Sequence, residues 1–265
     1  MMLKKSLSSK QQIQALLTKT SGLVTLNDVQ EALKVSRERA SHTVWRLSKQ
    51  GWLKKLRNGL YRVVSLESPD ATLTDESPWL VANALFAPCY ISGWTAAHFW
   101  GLTDQLFLKT WLVTTQPVHK KIQSISQHDF ILRQAQKDYF FGLRPEWIEN
   151  NKILISDPSK TLLDFLNFSE DYTAQTMIEV TQSYLRSDLK NIDLLSQYVQ
   201  KVTNRSALKR LGFLLETFSP EAIPLIEFCS KNISKGFSPL SSQSICTKPI
   251  HRWNLKIPEH LRENH

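Results

Sequence analysis

The stretch from Leu33 to Val64, LKVSRERASHTVWRLSKQGWLKKLRNGLYRVV, holds nine Lys and Arg and a single acid, Glu38. Within it Ala40, Val44 and Leu47 recur at the spacing of one buried helix face. Ser36 stands where an N-cap belongs, and Gly51 where a left-handed residue ends a helix. Asn58-Gly59 then splits LKKLRNGLYRVV into two short strands, and that pair suits a two-residue type I′ turn. A capped amphipathic helix running straight into a tight hairpin leaves few folds open.

Two shorter helical patterns precede it. Ile13, Leu16 and Leu17 share one face, as do Leu26, Val29 and Leu33. Three helices followed by a hairpin is the winged helix-turn-helix arrangement, in which the third helix enters the DNA major groove and the hairpin flanks the backbone. The face opposite Ala40, Val44 and Leu47 carries Arg37, Glu38, Ser41, His42 and Trp45. Arg37 can donate twice to a guanine edge, and Ser41 or His42 can reach either partner of a base pair. Arg39, Arg46, Lys49, Lys54, Lys55, Arg57 and Arg62 have the chemistry for phosphates, which set affinity more than sequence choice. Ser36 and Asn58, at the helix cap and the wing tip, complete the expected interface. The rival reading is a solvated basic face on a helical protein-interaction module.

Charge separates this segment from the rest of the 265 residues. Residues 1–64 carry 13 Lys and Arg against 3 acids, whereas residues 65–265 carry 20 against 21. Such asymmetry marks a contact with nucleic acid or an anionic membrane rather than general solubility. No apolar run is long enough to span a membrane, and MMLKKSLSSKQQ has no apolar stretch behind its charges to make it a secretory signal. Cys89, Cys229 and Cys246 lack any C-x-x-C spacing, which speaks against disulfides and zinc and for a reducing cytoplasm.

SLESPDATLTDESP, residues 65–78, is acidic, polar and broken by proline, the composition of a linker. The expected division is a winged-helix domain at 1–66, a linker at 67–78 and a second domain at 79–265. In the second domain PWLVANALFAP and GWTAAHFWG read as helices, and CYIS, LFLKTWLVTT, DFILRQAQ, YFFGL and NKILIS as strands. From Asp157 the pattern is helical: DPSKTLLDFLNF, AQTMIEVTQSYL, IDLLSQYVQ and NRSALKRLGFLLETF. Strands followed by helices give an α+β class, with a mixed second domain ending in a helical region. The last 30 residues, rich in Ser, Pro and Lys, read as extended and loosely ordered.

Chemistry is harder to find. Every glycine precedes a large apolar residue, so phosphate-cradling glycine loops are missing. The histidines show no metal-ligand spacing, and no G-x-S-x-G elbow occurs. Asp157, Asp164 and Glu179 are the best catalytic candidates. Asp157, ahead of Pro158, is most simply an N-cap, and Asp164 is placed to pair with Lys160. His98 reads as a half-buried, satisfied histidine. Tyr90, Trp94, Phe99, Trp100, Phe107 and Trp111 read as core, with a partner groove as the alternative. Lys201, Arg205 and Lys209 form a basic stripe, either a solvated face or a second nucleic-acid surface. No enzymatic activity, cofactor or metal is expected.

Four phrases occur in one order: RNGLYRV, WLVANALFAPCYISGWTAAHFWGLTDQ, SDPSKTLLDFL and ALKRLGFLLE. Together they resemble the AbiEi antitoxins of type IV toxin–antitoxin (abortive infection) systems, over roughly Ser9 to Trp253. The chain departs from that pattern at NFSEDYTAQ, where a glycine pair is expected, and in the glycine-poor FSPLSSQSICTKPIHRWNL. The resemblance implies a cytoplasmic phage-defence repressor whose winged helix binds its own operator as double-stranded DNA with inverted repeats. It further implies that the second domain counteracts a nucleotidyltransferase toxin without necessarily forming a stable complex. The alternative is a stand-alone transcription regulator whose second domain senses a ligand or partner.

Overall fold

The computed structural model describes residues 7–20, 22–64, 77–125, 127–148 and 151–262. The expected linker from 67 to 76 and the Arg57 side chain lie outside the described residues.

The first helix, α1 (Ser9–Leu17), opens on a capping box in which Ser8 and Gln11 satisfy each other's backbone N–H groups. A three-residue strand, β1 (Leu23–Thr25), runs directly into α2 (Leu26–Leu33). Thr25 and Asp28 cap α2, the Thr25 N–H donating to the Asp28 carboxylate at 2.7 Å. Lys34 ends α2 in the left-handed conformation, φ 52°, and so turns the chain toward α3 (Arg37–Lys49). The Ser36 Oγ caps α3 by accepting from the Arg39 N–H, and Gly51 follows with φ 78°. Strands β2 (Leu53–Arg57) and β3 (Leu60–Val63) form the wing, and β3 pairs with β1 on its other side. Ile13, Leu16, Val24, Val29, Ala40, Val44, Leu47, Leu53 and Val63 close this core.

The hairpin differs from expectation in its turn. A type I′ turn needs positive φ at both central residues, and here Gly59 has it (φ 85°) while Asn58 does not. A register shift between Lys55 and Arg57 absorbs the difference, because a bulge restores the strand twist that the turn fails to match. Strand β1 was not anticipated; three residues are too short to show alternation.

The second part begins with α4 (Pro78–Phe86), β4 (Cys89–Ile91) and α5 (Gly93–Phe99). Strands β5 (Lys109–Thr114), β6 (Ile122–Ile125), β7 (His128–Gln134), β8 (Leu143–Ile148) and β9 (Asn151–Ser156) join β4 in a mixed sheet. Its order is β6-β7-β5-β4-β9-β8, with β5–β7 and β4–β9 parallel. Period-2 alternation splits the strands between two layers. Trp111 and Ile131 face helices α6 (Pro158–Asn167), α7 (Ala174–Arg186), α8 (Ile192–Val199) and α9 (Arg205–Phe218), with α10 (Ile223–Lys231) behind. Leu112, Phe130 and Leu132 face α4. That second layer also takes in Leu23 of β1 and Leu60 of β3, so the wing sheet and the larger sheet share one apolar seam through α4. YFFGL is not a strand: Lys137–Tyr139 forms a 3-10 turn, and β8 starts only at Leu143.

The largest correction concerns the tail. Strands β10 (Ser238–Pro239), β11 (Lys248–Ile250) and β12 (Leu255–Ile257) form a small sheet of order β10-β12-β11. Its inner side is anchored on α9. The Trp253 ring is buried over Gly212, and its indole N–H donates to Glu216 at 2.6 Å. The Arg210 guanidinium donates to the carbonyls of Pro239, Leu240 and Leu166, and burial brings its pKa down to about 10. Composition hid this order, because Arg210, Gly212 and Glu216, which receive the tail, lie on α9.

A Cβ on Gly212 would stand 2.1 Å from the Trp253 ring. Alanine is the better helix former by about 1 kcal/mol. Overpacking a filled core costs about 1–3 kcal/mol and sometimes more. Gly212→Ala should therefore lower the unfolding free energy in urea by a net of up to about 2 kcal/mol; a raised midpoint would contradict this packing.

Candidate nucleic-acid interface

Burial of Ala40, Val44 and Leu47 fixes which side of α3 faces out. Ser36, Arg37, Glu38, Arg39, Ser41, His42, Trp45 and Lys49 are all exposed. Trp45 is 59% exposed in the middle of the face, its ring 5.9 Å from that of His42. Arg46 behaves differently. It is half-buried and donates to Ser9 at 2.8 Å and to Gln12, so it ties α3 to α1. That role positions the helix and was not visible from spacing along α3 alone.

On the wing, Lys54 and Lys55 are exposed and Arg62 is half-buried. Lys54 pairs across the hairpin with Arg62, and Lys55 with Tyr61, so the two lysines serve opposite faces. Asn58 is exposed at the tip. Arg37, Arg39, Lys49, Lys54 and Lys55 form no ion pair among the described residues. Three cations on α3, with one more on each face of the adjoining hairpin, are unneutralised among the described residues, a distribution suited to a polyanion.

The helices, the left-handed turn at Lys34 and the β1-β3-β2 sheet define a winged helix-turn-helix domain. Residues 11–64 match the family model described as transcriptional regulator, AbiEi antitoxin. The match runs from α1 to the end of the wing, and over those residues the chain is similar to the AbiEi antitoxin transcriptional regulators. No curated protein matches the chain significantly. That family is a regulatory one rather than a known family of enzymes.

The other candidate residues fall into place differently. The basic stripe of Lys201, Arg205 and Lys209 does not exist as a surface. Lys201 precedes α9, while Lys209 is buried and donates to the Gly236 carbonyl at 2.6 Å. Only Lys201 and Arg205 are exposed. His98 is exposed rather than half-buried. Of the aromatic set, Tyr90, Trp94 and Trp111 are core, whereas Phe99 and Phe107 lie at the surface.

Asp157 caps α6 through the Lys160 N–H at 2.8 Å and accepts from the Tyr198 hydroxyl at 2.6 Å. Asp164 is wholly buried and pairs with Lys160. It also accepts from Ser92 at 2.6 Å, Tyr139 at 2.9 Å and Tyr90 at 3.1 Å. The Lys160 ammonium stands 3.5 Å from the Tyr139 ring centre. Every oxygen of Asp164 is thus engaged by the fold, which makes the pair a structural knot between α6 and β4. Glu179 is bonded by Gln175 at 2.9 Å on the surface of α7. Among the described residues no cluster of His, Cys, Asp and Glu is arranged to hold a metal.

The knot has a pH signature. Burial first, and the Asp164 charge second, push the hydroxyls of Tyr90, Tyr139 and Tyr172 well above their ordinary 10.0. Above that pH the unfolded chain loses protons that the folded chain keeps, so their contribution is intact below it and lost as pH rises. Burial pushes Lys160 below its ordinary 10.5, against the pull of Asp164, so its contribution rises with pH until that value is reached. Urea midpoints should therefore fall once pH passes the 10.5 at which the lysine gain ends. Asp164→Asn should cost about 3 kcal/mol at neutral pH, because it strands a buried ammonium. A flat alkaline profile, or a neutral Asp164→Asn, would contradict the assignment.

Proposed function

We propose that this chain is an antitoxin that represses its own operon by binding operator DNA as duplex. The observation that carries this reading is the exposed set of Arg37, Arg39, Lys49, Lys54 and Lys55 around α3 and the wing, which form no ion pair among the described residues. Helix α3 lies in the major groove, where Arg37 donates both arms of its fork to a guanine and Ser41 and His42 reach neighbouring base edges. Trp45 packs against the groove wall. Arg39, Lys49, Lys54, Lys55, Arg57, Asn58 and Arg62 hold phosphates, and Ser36 keeps the helix N-terminus in register. Residues 79–265 form the domain that counteracts a nucleotidyltransferase toxin, with 67–78 as the connection. The chain acts in the cytoplasm, in defence against phage.

A second reading draws on a cavity of about 260 Å³ between the two parts, lined by Lys19, Asp28, Asn83 and Asn151 among others. The Asn151 amide nitrogen is buried and has no acceptor among the described residues. A small acceptor-bearing molecule in that seam would make the chain a ligand-responsive regulator. Calorimetric titration of metabolite pools, with Asn151→Leu as control, separates this reading from the first.

Operator binding should weaken steeply with salt, because neutralised phosphates release counterions. Arg37→Ala should relax discrimination at one base pair by about 1–3 kcal/mol. Lys55→Ala should weaken all duplexes alike. Variants with the opposite pattern would reject the placement of α3.

The antitoxin half is tested by coexpression of the full chain with an AbiEii-like nucleotidyltransferase toxin. Arg37→Ala should derepress a promoter reporter yet still restore growth. Loss of rescue together with repression would show that protection is only a consequence of operator binding.

A further inference from the structure

From Phe228 to Pro258 the chain carries five Lys and Arg and no acid. This segment builds the β10-β12-β11 sheet, whose inner side holds the buried Leu240, Leu255 and Ile257. The outer side has a defined composition. Pro239 pairs with Lys256, and Lys256 pairs with Pro249, so these three side chains share one face. Phe237 lies just before β10, two residues from Pro239, and His251 opens the 3-10 turn that follows β11, two residues from Pro249. Their rings confirm the placement, meeting edge to face at 5.5 Å. All five are exposed, Phe237 by 43%.

Cations border this face. Lys235 is exposed, and neither it nor Lys256 forms an ion pair among the described residues, whereas Lys248 pairs with Ile257 and belongs to the inner side. Arg252 is held by Glu216 at 2.9 Å. Glu259 stands beyond the stretch and accepts from Thr247 at 3.5 Å. The platform is also rigid, since Arg210 and the buried Trp253 fix it to α9.

A flat strand face with exposed rings and unpaired lysines suits unpaired bases on a phosphate backbone. Three strands span roughly 10 Å, room for about two stacked bases. Duplex DNA hides its base faces and would use only the cations. We propose that the outer face of the β10-β12-β11 sheet binds single-stranded nucleic acid, with Phe237 and His251 stacking on bases and Lys256 and Lys235 holding phosphates. This contact is separate from α3 and does not depend on operator binding.

The test uses the full chain with labelled oligouridine and oligothymidine of equal length, read by fluorescence anisotropy at low and high salt. Both strands should bind, more weakly as salt rises. Phe237→Ala should weaken binding about tenfold. Lys256→Glu should weaken it further, and Arg37→Ala should leave it unchanged. Phe237→Leu, which keeps apolar bulk and removes the ring, should behave like Phe237→Ala while melting like the parent chain. Stronger binding of oligouridine identifies RNA as the ligand, and equal binding identifies any single strand. The proposal is overturned by absent binding at low salt, by wild-type affinity in Phe237→Ala and Lys256→Glu, or by loss of binding in Arg37→Ala. It is also overturned if duplex DNA displaces the strand from Arg37→Ala protein as well as unlabelled oligouridine does.

Discussion

Three side chains must leave water for this chain to do anything: Ala40, Val44 and Leu47. Their burial against α1, α2 and the wing sets the rotation of α3 about its own axis. Everything on the opposite side is then outward by geometry, including Arg37, Ser41, His42 and Trp45. Ser36 and Gly51 fix where the helix starts and stops, and Arg46 holds it against α1. The charged surface follows from apolar packing; no ion pair among the described residues is needed to arrange it.

The winged helix was legible in the sequence because its signals are local. A cap, a period and a turn residue each act within a few positions, and each recurs in the structure. What failed there was finer. The type I′ turn gave way to a bulge at Lys55–Arg57, and β1 was too short to announce itself. In the second part the long amphipathic helices were equally readable. Strands β6 and β8 were not, since both are edge strands with exposed positions and Pro145 interrupts the second.

The longer-range features were the ones that local reading could not supply. Lys209 and Arg210 look like surface charge along α9, yet they hold the tail through backbone carbonyls. Gly212 looks like a weak point in a helix, yet it is the floor on which Trp253 rests. Asp164 was expected to pair with Lys160, but not to gather Tyr90, Ser92 and Tyr139 from other elements. The seam of Leu23 and Leu60 with α4 belongs to the same category. It places the wing sheet and the larger sheet in one apolar layer.

The account stands or falls on α3 occupying the major groove, and methylation interference measures this directly. Guanine N7 lies on the major-groove edge. Pre-methylated operator should be rejected at specific guanines by the parent chain, and Arg37→Ala should lose that rejection at one of them while the others persist. Binding indifferent to N7 methylation, but blocked by ligands that fill the minor groove, would contradict the account.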